Sequence, residues 1–326
     1  MQVDQFQILA PFLVGMCSWL CMAILIRTRG LPVDLPNERS LHSIPVPRSG
    51  GLGIMIPAIA VGWLVAPALH GIILCSALLA LLSFADDRHS LAPALRLAVH
   101  VAVAGIACFL MPFNWHLIAP LLAIPAIVWM TNLYNFMDGS DGLSGGMAVI
   151  GFGTYAVIAG AANHTELFIF SASLSLSALG FLFYNFHPAR IFMGDVGSIP
   201  LGFLSAALGL FGWHEGVWSL AIPILIFSPF IADASITLAR RILAGEKFWL
   251  PHRNHYYQRM IQMGWGHFRT AISAYVIMLT AAVSAVILPS YPLTGQLIGI
   301  AIWMVIYLIL GRMIDRRWQL HTKEQQ

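Results

Sequence analysis

The order of apolar and polar positions divides this chain into long apolar runs joined by short polar connections, and no polar stretch is long enough for a separate soluble domain. A helix that crosses a hydrocarbon core of about 30 Å needs roughly 20 mostly apolar residues, and a helix satisfies its own backbone hydrogen bonds in lipid. Runs of that kind predict spans over 6–26, 50–67, 70–85, 94–112, 117–134, 143–162, 167–186, 198–212, 217–239, 270–288 and 293–311, with the third and eighth short. The expected architecture is an all-α polytopic membrane protein of about 11 transmembrane helices, one integral membrane domain covering 1–326.

Composition agrees: of 326 residues, 59% are hydrophobic and 10% charged, against roughly 25% charged in an ordinary soluble domain. The placement of positive charge orients the layout, because Lys and Arg crowd into connections on the cytoplasmic side. Arg27, Arg29, Arg39 and Arg48 lie in the first connection, Arg88 and Arg96 in the third, and Arg190 in the seventh. The ninth holds Arg240, Arg241, Lys247, Arg253, Arg259 and Arg269, and Arg312, Arg316, Arg317 and Lys323 follow the last span, which accounts for all 17 basic residues. On the opposite side the charged residues are acids, Asp4, Glu166 and Glu215. The amino terminus is therefore expected outside, the carboxyl terminus in the cytoplasm, and the cytoplasmic loops at 27–49, 86–93, 132–142, 187–197 and 240–269.

The first apolar run has its basic residues after it rather than before it, so it reads as an anchor and not as a cleavable signal. The net charge of +3 reflects membrane orientation, and no basic stripe interleaved with aromatics points to nucleic acid. Cys17, Cys21, Cys75 and Cys108 fall inside predicted spans and read as small apolar residues.

Candidate chemistry gathers where spans meet the cytoplasmic connections. Asn132, Asn135, Asp138 and Asp141 lie within ten residues at the end of one apolar run, and a carboxylate at membrane depth costs about 2.5–3.5 kcal/mol. Gly139 and Gly142 follow the two aspartates and permit tight turns. A polar loop capping a helix is the other reading, and the spacing does not match an EF-hand calcium loop. Asp86 and Asp87 end the third span, where the helix dipole favours cations; they need a compensating charge, Arg88 or a bound metal, unless the helix end is solvated. Asp195 stands between Gly194 and Gly197 in a turn that projects one carboxylate, and Ser198 before Ile199-Pro200 reads as the N-cap of the next helix. Arg48 at the membrane edge could meet a lipid phosphate or snorkel to headgroups. Asp233 lies within the ninth span and reads as packed against a polar neighbour. His252, Arg253 and His255 could grip a diphosphate, although a basic segment lying on anionic lipid looks similar.

Under the topology set by the basic residues, Asp86, Asp87, Asn135, Asp138, Asp141, Asp195, His252, Arg253 and His255 all reach the cytoplasmic face. Carboxylates gathered there repel unless a divalent cation lies among them, and oxygen ligands suit magnesium, with manganese as a substitute. Basic residues at the same place suggest phosphoryl transfer at the membrane surface.

Asp86-Asp87, Asn132-x-x-Asn135-x-x-Asp138-Gly139-x-Asp141-Gly142-Leu143, Phe192-Met193-Gly194-Asp195-Val196-Gly197-Ser198 and the His252-Arg253-x-His255 loop resemble, in order and spacing, the polyprenyl-phosphate N-acetylhexosamine-1-phosphate transferases of the MraY/WecA superfamily. The resemblance runs from about the first loop to the ninth. It implies magnesium-dependent transfer of a sugar 1-phosphate from a UDP-sugar to undecaprenyl phosphate, releasing UMP, at the cytoplasmic face of the bacterial inner membrane, to start a cell-surface polysaccharide. It further implies Asn135 and Asp195 as magnesium ligands and Phe192 as a stacking platform for uracil. Asp86 and Asp87 would orient or deprotonate the lipid phosphate, and Asp138 and Asp141 would shape the nucleotide and sugar site. Arg48 and Asn132 would contact substrate, and His252, Arg253 and His255 would clamp the diphosphate. Many relatives have a more histidine-rich run where Tyr256 and Tyr257 follow His255 here. This form is similar to the branch that initiates O-antigen on lipopolysaccharide, which points away from UDP-muramoyl-pentapeptide as donor.

A transporter or flippase of lipid-linked sugars is the alternative of a different class. Its mark is ionisable residues near the bilayer midplane, and only Asp233 comes close to that depth. The Asp-Gly-x-x-Ala-Arg pattern of CDP-alcohol phosphotransferases does not occur. The sequence leaves open the donor sugar and whether the protein is a homodimer.

Overall fold

The computed structural model describes residues 5–36, 41, 44–89, 91–111, 118–247, 250, 252–288 and 291–324, with the backbone alone at 5–7, 88, 89, 118 and 119. Helices dominate: α1 (Gln5–Leu25), α2 (Gly50–Val65), α3 (His70–His89), α4 (Pro93–Leu110), α5 (Ile118–Phe136), α6 (Leu143–Ala161), α7 (Thr165–Asn185) and α8 (Asp195–His214) come first. There follow α9 (Ala221–Ile226), α10 (Ser228–Leu243), the short α11 (Tyr256–Met260), α12 (Gly266–Ile287) and α13 (Leu293–Glu324). Among the described residues, each predicted apolar run but the ninth falls on a single helix, and eight helical stretches are long and apolar enough to cross a membrane. The chain is an all-α polytopic membrane protein.

Three boundaries depart from the sequence reading. The ninth run is two helices, because Phe227 leaves helical geometry at φ −93°, ψ 6° between Pro223 and Pro229. Pro229 lacks an N–H and so fits only the opening turn of α10. The hydroxyl of Ser228, at the break, bonds the Leu225 carbonyl at 2.6 Å and the Tyr307 hydroxyl of α13 at 2.6 Å, which supplies partners that the interrupted ladder leaves open. Helix α8 begins at Asp195 with Gly194 as its N-cap, so Ser198 is inside the first turn and is not the cap. Helix α13 continues to Glu324 rather than ending near 311.

Small residues let helices approach closely where lipid gives no hydrophobic drive for association. Helix α8 is the centre of the bundle, 83% buried over its span, and packs against α2, α3 and α5; α13 is peripheral, with 6% of its apolar window buried. Buried side chains tie the bundle by donating to main-chain carbonyls of other elements: Ser18 to Ser177, Ser177 to Ile54, and Tyr155 to Ser205, each at 2.8 Å.

Two short strands, β1 (Val33–Asp34) and β2 (Val46–Pro47), pair antiparallel with Val33 opposite Pro47 and Asp34 opposite Val46. The ladder continues onto the connection before α8. Phe192 donates its N–H to the Pro47 carbonyl at 2.7 Å, and Gly50 and Gly51 donate to the carbonyls of Phe192 and Met193 at 2.9 and 2.8 Å. The first connection is thereby fastened beside Asp195. Its residues 37–40, 42 and 43, which include Arg39, lie outside the described residues.

Candidate active site

The ends of α3, α5 and α8 bring Asp86, Asp87, Asn135, Asp138 and Asp195 together. Adjacent carboxylates on a helix point about 100° apart, and Asp86 and Asp87 accordingly take different partners. Arg48 pairs with Asp87, whose side chain is 1% exposed, and its other near neighbour is Asp195 at 3.9 Å. Arg96, one turn into α4, bonds Asp86 at 3.1 Å and lies 3.8 Å from Asp195. Asp86 also accepts the Leu91 N–H at 2.6 Å. The compensating cations for the paired carboxylates are thus Arg48 and Arg96; the Arg88 side chain lies outside the described residues. Burying a paired charge stabilises little by itself, whereas removing one partner strands the other at a cost of about 3–5 kcal/mol.

Gly194 adopts φ +71°, and a Cβ there would stand 2.3 Å from the Arg48 carbonyl oxygen. Glycine at this position therefore lets the two connections touch and aims Asp195 at both arginines. An acid in the first turn of α8 is also favourable to the helix dipole. Asn135 faces this turn: the Ser198 hydroxyl donates to its Oδ1 at 2.8 Å. Asp138 accepts from the Ser144 hydroxyl. Burial pushes the Asp138 carboxyl up to about 7; Asp195 and Asp87 add to the rise, while Ser144 and Arg48 oppose it. Asn132, one turn before Asn135, donates to the Val128 carbonyl of its own helix at 2.7 Å and lies beside the buried imidazole of His100. Phe192 is half-buried on the ladder that fastens the first connection.

Asp141 belongs to a different group of side chains. Its Oδ2 takes His187 Nδ1 at 2.7 Å and the Ala189 N–H at 3.1 Å, and His267 Nδ1 lies 3.7 Å from Oδ1. His267 Nε2 meets the Leu41 carbonyl at 3.0 Å, so Nε2 carries a proton, and Nδ1 accepts the Asp141 N–H at 3.3 Å. The two imidazoles stack, 5.5 Å apart and 11° from parallel. Gly142 next door takes φ +76°, and its N–H reaches the Asn185 amide oxygen at 2.9 Å, while the Asn185 amide nitrogen donates to the Ile191 carbonyl at 2.9 Å. Asp141 is therefore held by histidines instead of sharing the arginines.

The His252–His255 segment is anchored by Asp233, which sequence alone placed only as a packed polar group. Asp233 accepts the N–H groups of Tyr256 and Tyr257 at 2.9 and 3.1 Å and meets His255 Nδ1 at 3.2 Å. Its position at the start of α11 is what a helix N-terminus favours. The His255 ring stacks on Phe136 at 6.2 Å, and the Tyr257 hydroxyl donates to the Phe136 carbonyl at 3.1 Å, so the segment abuts the Asp138 loop. His252 lies 4.9 Å from His255, ring to ring. Burial first, then His255 and Arg241, lower the His252 imidazole to about 4. His252 is therefore neutral at pH 7, and Arg253 brings a fixed positive charge to this motif. Residues 248, 249 and 251 of this connection lie outside the described residues.

The profile of glycosyl transferase family 4 matches residues 69–212. A probable undecaprenyl-phosphate N-acetylglucosaminyl 1-phosphate transferase of Bacillus subtilis is 30% identical over 97% of this chain and 96% of its own length. This chain belongs to glycosyl transferase family 4, within the MraY/WecA superfamily. Two further relatives show how the likeness spreads. A decaprenyl-phosphate N-acetylglucosaminephosphotransferase of Mycobacterium leprae is 27% identical over 75% of this chain and 73% of its own. A phospho-N-acetylmuramoyl-pentapeptide-transferase of Lactiplantibacillus plantarum reaches 39%, but over 49% of this chain and 50% of its own.

For a family 4 protein the fit to a divalent metal rests on the donor set. Among the described residues no group of three or more His, Cys, Asp or Glu side chains could hold a metal ion alone. Magnesium keeps several waters and takes one or two carboxylates plus substrate phosphates, so it does not require such a group. Asp195, at 19% exposed the most open carboxylate of those paired with Arg48 and Arg96, and the Asn135 amide oxygen joined to the α8 turn by Ser198 form a pair of oxygen donors of that kind. The donor set fits.

Proposed function

We propose that this chain transfers an N-acetylhexosamine 1-phosphate from a UDP-sugar to undecaprenyl phosphate, releasing UMP and starting O-antigen or a related cell-surface polysaccharide. The observation that carries the reading is the meeting of Asp87, Asp138 and Asp195 around Arg48 at the ends of three helices, the arrangement needed to bring an acceptor phosphate to a donor diphosphate. The relative matched along its full length supports an N-acetylglucosamine-type donor and the undecaprenyl acceptor. The crowding of basic residues into alternate connections supports a site on the cytoplasmic face of the inner membrane.

In this reading Asn135 and Asp195 hold magnesium, with manganese able to replace it; bound there, the ion supplies charge neutralisation for the donor diphosphate and departing UMP. Arg48 and Arg96, each already shared between carboxylates, exchange part of that contact for the acceptor phosphate, and Asp86 and Asp87 orient it. A phosphate monoester keeps a proton with a pKa of about 6. Asp138, at about 7, takes that proton. An acceptor oxygen then attacks the β-phosphorus in line, the bond from that phosphorus to the bridging oxygen breaks, and UMP leaves with the oxygen. Arg253, His252 and His255 hold the diphosphate, Phe192 and Asn132 contact the nucleotide side, and Asp141 with His187 and His267 shapes the sugar side.

The test is release of UMP by the purified protein in undecaprenyl phosphate, magnesium and a panel of UDP-N-acetylhexosamines. One donor is expected to yield UMP and lipid-linked sugar in equal amounts. If no donor in the panel gives UMP while vesicles show movement of a lipid-linked sugar, the transporter reading replaces this one.

A further inference from the structure

We propose that the end of α13 is a working part of the site: Asp315 is a positioning residue that, through Arg259 and Tyr256, sets where the His252–His255 segment stands for the donor diphosphate. The inference rests on the reading of that segment as the diphosphate clamp.

The segment's own bonds are local: the Gln258 amide oxygen accepts the His255 N–H at 3.2 Å, and the Gln262 amide donates to the Arg253 carbonyl at 3.0 Å. The described part of the connection from Ala244 to His255 contains no helix or strand, and α11 is five residues long. A π-helical turn, Ile261–Trp265, separates α11 from α12, with Gly264 at φ +87° and Gly266 at φ +69°. Fixing such a stretch costs backbone entropy of about 1–2 kcal/mol per residue, and bonds this local do not set where it stands in the bundle, which falls to contacts with other helices. Asp233 fixes the amino end of α11 from α10. Asp315 fixes the other face from α13.

Its carboxylate is 17% exposed and accepts three neighbours. Arg240 of α10 reaches it through both terminal nitrogens, Arg259 of α11 at 3.0 Å, and the Tyr256 hydroxyl at 3.4 Å. Gly311, one turn earlier on the same face, leaves room for the Tyr256 ring, whose hydroxyl would stand 2.8 Å from a Cβ at that position. Arg240 also lies over the Tyr256 ring at 5.2 Å, and Arg259 lies 5.7 Å over the Trp318 ring, one turn further along α13. The bidentate Arg240 pair is itself exposed, but a second arginine, Arg259, 17% exposed, shares the same carboxylate and makes a network that orders side chains more firmly than an isolated surface pair. Tyr256 and Arg259 flank Tyr257, whose hydroxyl reaches the Phe136 carbonyl beside Asp138. A single carboxylate on the last helix therefore governs where the clamp meets the carboxylate pocket, about 60 residues after it in sequence.

The positioning claim separates from a purely structural one by which kinetic constant moves. In Asp315→Asn the KM for the UDP-sugar is expected to rise about tenfold, with the KM for undecaprenyl phosphate within about twofold of the parent, and Asp315→Glu to recover most of the loss. A merely less stable enzyme would lose kcat in proportion to its folded fraction and leave both KM values alone; that result overturns the proposal. Should Asp315→Asn fail to accumulate in membranes, Arg259→Gln cuts only the arm to α11 and must give the same selective rise. An unchanged donor KM in Arg259→Gln overturns the proposal too. The parent enzyme is measured alongside: no UMP from the parent speaks against the reaction assigned above, whereas normal parent kinetics with unmoved variant KM values speak against the role of α13 alone.

Discussion

At the scale of single residues, Asp138 and Asp195 carry opposite burdens. Asp195 is paired with two arginines, yet remains the open carboxylate of that set. Asp195→Asn keeps shape and removes charge, and is expected to lower kcat about 10²–10³-fold while membrane insertion is unchanged. UMP release by protein purified at the parent's yield checks it. Asp138 has its folded pKa raised to about 7 from the ordinary carboxylate value, chiefly by burial. Between those two values the folded state holds a proton that the unfolded state releases, so stability falls as pH rises towards 7 and the penalty is complete above it. Asp138→Asn should therefore raise the thermal unfolding temperature at pH 8, with little change at pH 4, while removing turnover. In the parent, kcat/KM should climb with pH through a midpoint near or below about 7. A stability gain of equal size at both pH values would remove the buried carboxylate as its cause. That Asp86, Asp87, Asp138 and Asp195 would gather at one end of the bundle was readable from their company of glycines and apolar runs. Their counter-ions were not: Arg96 is an unremarkable basic residue after a proline in sequence, and only the crossing of α4 over α3 puts it on Asp86.

At the scale of elements, helix positions were legible because lipid leaves few alternatives to a long apolar helix. What defeated the reading was local backbone chemistry. Pro223 and Pro229 mark the broken ninth run only once Phe227 is seen between two helices, and Ser198 gave way as cap because Gly194 starts α8 one turn earlier. Asp233 looked like an isolated acid in an apolar run, since its partners are main-chain N–H groups more than twenty residues away. Replacing it by alanine strands two buried N–H groups, each worth about 1–3 kcal/mol. Asp233→Ala is thus expected to lower the unfolding temperature and to speed amide hydrogen exchange at Tyr256 and Tyr257 before any other part of the bundle; Asp233→Asn, which retains an acceptor, should do less. Uniform exchange across all helices would deny Asp233 its local anchoring role.

At the scale of the whole molecule, three groups of polar side chains share one end of the helical bundle: the arginine-paired carboxylates, the Asp141 histidines and the Asp233 anchor. The sequence resemblance already joined their motifs, but it could not separate Asp141 from the other acids, because contiguity in the chain says nothing about which arginine or histidine each will meet. Attack by the lipid in a single step predicts no exchange of labelled UMP into UDP-sugar when acceptor is withheld, and a measured exchange rate near kcat would require a covalent enzyme intermediate instead. Orientation can be checked separately by cysteines placed singly at Glu166 and Arg253 in an otherwise cysteine-free protein. A membrane-impermeant thiol reagent applied to intact cells should reach the first and spare the second.

The Asn185 amide bridges the Gly142 N–H and the Ile191 carbonyl, and so ties the two motif-bearing connections to each other. Grafting either stretch by itself from a homologue with another sugar preference would bring a surface cut for a different mate. Retuning the enzyme's choice of donor is consequently a matter of transplanting 132–143 and 185–198 as a pair.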